Sequence, residues 1–199
     1  MILVIAQPVS ASGTITDPSG DAMFPVHKNQ QVPGYLDIVG ASMVLDGSGK
    51  FIMTLKMAEL VPETPALMKS VHAYWWEWAF DTRPDYWHIF PQGYTFEEYA
   101  VIVQWDGSNW CADLYDWTSV QEWKDPVLKI SLVLNGVGTE ELMVAVDSVL
   151  MGDPVEFKWA AGTLGWLSPG SAAIPSWAWW HFDGAGIDVN TGEWTTWPD

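Results

Sequence analysis

Phe51, Met53, Leu55 and Met57 alternate with Ile52, Thr54 and Lys56, the period-two pattern of a strand with one buried face. Ala41 to Leu45 is a second apolar run, and Asp46-Gly47-Ser48-Gly49 between the two supplies turn residues, so 41–57 is predicted as a β-hairpin. The pattern recurs twice. Tyr99 to Trp105, Asp106-Gly107-Ser108-Asn109 and Trp110 to Trp117 predict a second hairpin. Val127 to Leu134, Asn135-Gly136-Val137-Gly138 and Glu141 to Leu150 predict a third. Gly152-Asp153-Pro154 then turns the chain into a strand over 155–159, and residues 72–81 form one more. Helical periodicity is scarce. One short helix over 59–69 is the most the pattern allows, and Pro62 and Pro65 oppose it. Stretches 84–91 and 164–175 read as loops. Nine to eleven short strands without a helical layer predict an all-β fold, a two-layer antiparallel β-sandwich of jelly-roll type. Residues 14–199 are expected to form this single domain, and 1–13 an N-terminal strand or leader remnant.

Charge narrows the partners. Eight Lys and Arg stand against 25 Asp and Glu, a formal net charge of −17 over 199 residues. A nucleic-acid partner is not expected, because phosphate binding needs a basic footprint. An anionic membrane surface is disfavoured for the same reason, and no apolar run reaches the ~20 residues of a membrane-spanning helix. One cysteine, Cys111, excludes an intrachain disulfide and paired-cysteine metal motifs. Residues 2–6 (Ile-Leu-Val-Ile-Ala) are apolar, and Val9-Ser10-Ala11 has the small-residue pattern of a signal-peptidase site. Three readings stay open for this segment: a first strand, a trimmed secretory leader, or a strand lent to a neighbouring subunit, which would make a homo-oligomer. An extracellular or cell-surface location is expected.

Fifteen tryptophans are the outlier of the composition. By strand parity, Tyr74, Trp76, Trp78 and Phe80 share one face, and Trp75, Glu77, Ala79 and Asp81 the other. The first set is core. In the second, an indole stands beside two carboxylates. The same parity groups Trp177, Trp179, His181 and Asp183 against Ala178, Trp180 and Phe182. Exposed indoles stack on the apolar faces of sugar rings while neighbouring carboxylates bond the hydroxyls. Trp75, Glu77, Trp177 and Trp179 are therefore the candidate carbohydrate-binding residues. Core or rim packing is the alternative for each indole, since large aromatics dominate sandwich interiors.

In Thr16-Asp17-Pro18-Ser19-Gly20-Asp21-Ala22 two carboxylates stand four residues apart across a Pro and a Gly, and Asp37 follows in Leu36-Asp37-Ile38. Asp17, Asp21 and Asp37 are candidate ligands for calcium, which takes six to eight oxygens at about 2.3–2.6 Å. Self-capping of the turn through Asx bonds is the alternative. The series Asp-Pro-Ser-Gly-Asp-Ala (17–22), Leu36-Asp37-Ile38, Ala41-Ser42-Met43 and Phe51 to Leu55 resembles the opening of β-sandwiches related to the family 9 carbohydrate-binding modules and the DOMON-type domains. Tyr74 to Asp81 is similar to their aromatic strand ending in Asp. The resemblance implies a sandwich with structural calcium near the first turn, and in some members a sugar clamped between two indoles. The closing region, His181-Phe182-Asp183-Gly184-Ala185-Gly186, departs from that pattern.

Catalysis is not expected. A jelly-roll glycoside hydrolase needs two carboxylates about 5–9.5 Å apart. Glu77 and Asp81, four residues apart on one strand, would be about 13 Å apart. Glu141 and Glu193 match nucleophile and acid only over very short stretches. The four histidines occupy no triad-like setting, and Cys111 reads as an inert thiol in a strand. The sequence thus points to a non-catalytic extracellular module binding carbohydrate, stabilised by calcium. The alternatives are a structural or filament subunit assembling by strand exchange through its N-terminal segment, and a glycoside hydrolase.

Overall fold

Alternation governs the observed strands as the pattern requires. The computed structural model describes residues 12–23, 31–82, 98–116, 118, 127–167, 179–186 and 195–197. Strands β1 (Ser12–Thr16), β2 (Ile38–Leu45), β3 (Lys50–Met57) and β8 (Glu141–Asp147) form a four-stranded antiparallel sheet in the order β1-β2-β3-β8. The second sheet contains β4 (Val71–Asp81), β5 (Tyr99–Trp105), β6 (Trp110–Asp116), β7 (Val127–Ser131), β9 (Phe157–Leu167), β10 (Trp179–Ala185) and β11 (Thr195–Trp197). Its order is β10-β9-β4-β5-β6-β7, with β11 also paired to β9. The two sheets enclose one hydrophobic core, so the architecture is an all-β sandwich.

Tyr74, Trp76, Trp78 and Phe80 of β4 are fully buried, while Trp75, Glu77, Ala79 and Asp81 are half-buried on the outer face. Phe51 and Met53 of β3 and Leu142 and Val144 of β8 meet them from the other sheet. Phe51 makes edge-to-face contacts with Phe157 and Trp197 across the core, at centroid distances of 5.5 and 5.8 Å.

The first two hairpins form as predicted, by one local device. Asp46 Oδ1 accepts from Ser48 N–H, Ser48 Oγ and Lys50 N–H. Asp106 Oδ1 accepts from Ser108 N–H, Ser108 Oγ and Asn109 N–H. Gly49 and Gly107 follow at φ 81° and 91°, where a side chain would be strained. These bonds hold both exposed carboxyls below their ordinary range.

Three expectations are corrected. The third hairpin does not form as one unit: β7 pairs with β6 in one sheet and β8 with β3 in the other. Residues 132–140 cross between the sheets, leaving a single bridge between Asn135 and Met143. No helix forms over 59–69. Its carbonyls are instead taken by the aromatic cluster beneath: Trp110 Nε1 donates to Glu63 O, Trp105 Nε1 to Pro65 O, and Tyr74 Oη to Ala66 O. Residues 164–167, expected in a loop, continue β9. Strand β1 begins at Ser12, and residues 1–11, including the apolar 2–6 segment, lie outside the described residues.

The faces of β8 provide a direct test. Leu142→Ala, which empties a fully buried site, should cost about 2–5 kcal/mol in urea denaturation. Met143→Ala, on the exposed face of the same strand, should change stability by no more than about 0.5 kcal/mol.

Candidate metal centre

The acidic turn leaves β1 at Asp17, whose N–H donates to Val39 O of β2. Gly20, at φ 89°, returns the chain and donates its N–H to Asp37 Oδ2 at 2.7 Å. The turn therefore does cap onto an aspartate, but onto one seventeen residues away rather than onto itself. Asp37 is held at the start of β2, with its own N–H on Gly34 O.

The cluster that results differs from the expected trio. Asp17, Asp21 and Asp183 each offer a carboxylate oxygen, and the three oxygens lie within 4.8 Å of one another. Asp183 comes from β10, on the opposite sheet. Its Oδ2 accepts from Ile38 N–H at 2.6 Å and its Oδ1 from Gly184 N–H at 2.8 Å. Asp37 stands behind the three as a nearly buried fourth carboxylate whose charge acts on Asp17, Asp21 and Asp183. Parity had placed Asp183 on the face opposite Phe182. A β-bulge between His181 and Asp183 breaks the alternation, and Phe182 and Asp183 are both buried. The glycine beside the bulge makes this possible: a Cβ on Gly165 would lie 2.5 Å from the Phe182 ring. The His-Phe-Asp-Gly run in a strand was the available signal for a bulge.

The electrostatics are those of an uncompensated site. Burial pushes Asp17 up to about 7, with the charges of Asp183, Asp21 and Asp37 adding to it. Burial raises Asp183 to about 6 against the lowering effect of its two backbone bonds. Burial also raises Asp37. Asp17 Oδ2 and Asp37 Oδ1 are buried without a hydrogen-bond donor. Among the described residues no ion pair reaches the cluster; the one present joins Lys50 to Asp147. Two species resolve such a cluster: a proton shared between carboxylates, or a hard cation. The donor set is entirely oxygen, with no His or Cys, which fits calcium rather than zinc.

The candidate sugar residues are only partly assembled. Trp75 is half-buried on the outer face of the seven-stranded sheet, with Nε1 donating to Gln104 Oε1 at 2.7 Å. Glu77 follows on the same face. Trp179 takes the register position opposite Trp166 in β9, and Trp177 lies outside the described residues. Trp166, in a stretch whose sequence reads as a loop, is 42% exposed on that outer face, diagonal to Trp75. For the hydrolase alternative, Glu141 is exposed at the start of β8, and Glu193 lies outside the described residues. No family model, curated protein or solved structure matches the chain.

Linkage gives the sign of the pH effect. Asp17 and Asp183 titrate higher folded than the 3.8 of an unfolded aspartate. In the metal-free protein they contribute stability fully below pH ~4, and that contribution is lost as pH rises through 6 and 7. In chelator, the urea midpoint of Asp17→Asn should therefore fall less between pH 5 and 7.5 than that of the unsubstituted protein. An equal fall in both proteins would show that the cluster does not set this dependence.

Proposed function

We propose that the protein is a non-catalytic extracellular β-sandwich module that holds a structural calcium ion and binds carbohydrate. The observation that carries the calcium reading is the convergence of three carboxylates from two distant chain segments, with two buried aspartate oxygens, Asp17 Oδ2 and Asp37 Oδ1, lacking any donor. A carboxylate buried without a donor or counter-charge is costly, and a divalent cation offsets that cost at several oxygens together. Asp17, Asp21 and Asp183 would hold the ion, and Asp37 would supply a fourth charge beside it. The resemblance to the family 9 carbohydrate-binding modules, carried by residues 17–22 and the strands after them, agrees with an ion at this turn.

The carbohydrate reading is favoured by a separate observation. Trp166 exposes much of its indole on an outer face that also carries Trp75, Gln104 and Glu77. Aromatic area next to an amide and a carboxylate suits a ring with an apolar face and hydroxyl edges.

Calcium at 100 times its dissociation constant should stabilise the folded state by about 2.7 kcal/mol. For a domain of this size that is a rise in Tm of about 5–10 °C over the chelated protein. An unchanged Tm across millimolar calcium would defeat the calcium reading. The sugar reading is checked by affinity electrophoresis through gels holding soluble β-glucan, xylan or mannan. One of these should retard the protein, and Trp166→Ala should weaken that retardation at least tenfold. Equal mobility of the two proteins in every gel would remove the platform.

A further inference from the structure

We propose, resting on the calcium reading above, that the cation acts as a staple between the two sheets and decides whether β10 stays seated at the edge of the seven-stranded sheet. The two sides of the site belong to different sheets. Asp17 and Asp21 follow β1, the edge of the four-stranded sheet, and Asp183 sits in β10, the end of the other sheet's strand order. Sequence separates Asp17 from Asp183 by most of the chain, so a tie between them closes a very long loop.

β10 buries Phe182 and Ala185 in the core, but its polar ties beyond the β9 ladder are few among the described residues. Its ladder to β9 is broken at the bulge between His181 and Asp183. Its described polar links to the opposite side are Ile38 N–H on Asp183 Oδ2 and Met23 N–H on Phe182 O. Both links lie beside the acidic cluster, so the sign of the force there matters. With the carboxylates ionised and no cation between them, Asp17 and Asp21 repel Asp183 and load these two bonds. A divalent cation reverses that force, because each carboxylate is drawn to a common centre. Beside the cluster, Asp37 is 5% exposed and its Oδ1 is buried without a donor. The cation's effect on the fold should accordingly be local opening of β10 and the 17–23 turn, not a uniform change.

Hydrogen–deuterium exchange of the full chain at pH 7.5, in calcium and in chelator, tests this alongside calorimetric titration with calcium. Calcium should slow exchange at least tenfold in peptides covering 179–186 and 17–23, and leave β3 and β5 within about twofold. Asp21→Asn serves as the variant, because Asp21 is exposed and its loss leaves the Asp183 bonds in place. It should keep the fold, judged by its Trp emission, and lose the calcium-dependent protection. Calcium binding by calorimetry with protection spread evenly over both sheets would overturn the staple while leaving the calcium site standing. No binding heat together with no change in exchange would overturn both.

Discussion

Asp183 is the group on which the arrangement of the two sheets around the site depends. One of its oxygens accepts the N–H of Gly184 in its own strand, and the other accepts the N–H of Ile38 in the opposite sheet. A hydroxyl or amide could not serve both donors equally, since a carboxylate alone has two equivalent acceptors. The same demand explains the bulge. Regular alternation would turn either Phe182 or Asp183 away from the interior. The extra residue lets Phe182 cover Gly165 and pack on Tyr74 while Asp183 reaches β2. Burying that carboxylate carries a desolvation cost, seen in its raised pKa. The site and the fold are thus two views of one compromise.

The aromatic interior shows a different solution to buried polarity. Trp76, Trp105 and Trp110 lie close together, with centroid distances of 5.2 and 5.4 Å from Trp110 to its two neighbours. Each indole N–H finds a main-chain carbonyl: Tyr35, Pro65 and Glu63. Two of those carbonyls belong to the 58–70 segment, where Pro62 and Pro65 deny the chain its own helical bonds. The loop therefore borrows donors from the core, and the indoles of Trp105 and Trp110 find their acceptors in the loop, whereas the buried Nε1 atoms of Trp78 and Trp159 have no partner. Tyr74 joins the same exchange by accepting Met68 N–H and donating to Ala66 O.

Elements whose signal is local were legible in the sequence. The hairpins at 46–49 and 106–109 announce themselves through an Asp-Gly-Ser turn that closes on its own side chains. The faces of β3 and β4 follow from strict alternation. What failed was decided by long-range partners. The run after Gly138 reads as the return of β7, yet Leu142, Val144 and Val146 are worth more buried against β3 in the other sheet. Of the three clustered carboxylates, Asp17 and Asp21 share one turn, which their spacing makes visible. Asp183 joins them only through a bulge, where the period-two rule does not hold, and Asp37 lies outside the group of three. Trp166 was missed because its Gly- and Pro-rich surroundings look like a loop, although β9 continues through it.

The distribution of charge gives the remaining step. An acidic protein can place carboxylates at turns and strand ends at little cost, because water solvates them there. Asp46 and Asp106 do this, and their turn bonds hold the ionised form. Asp17, Asp37 and Asp183 do the opposite: they crowd together where burial opposes ionisation. Self-capping cannot explain that contrast, because the same chain shows what a self-capped aspartate looks like at positions 46 and 106. The crowding also falls where β10, which carries Trp179 opposite Trp166, meets the four-stranded sheet through the bond of Ile38 N–H to Asp183. A neutralising ion there would act on the strand pairing that carries the aromatic face, so the acidic turn and the indoles of β9 and β10 would be coupled through one strand.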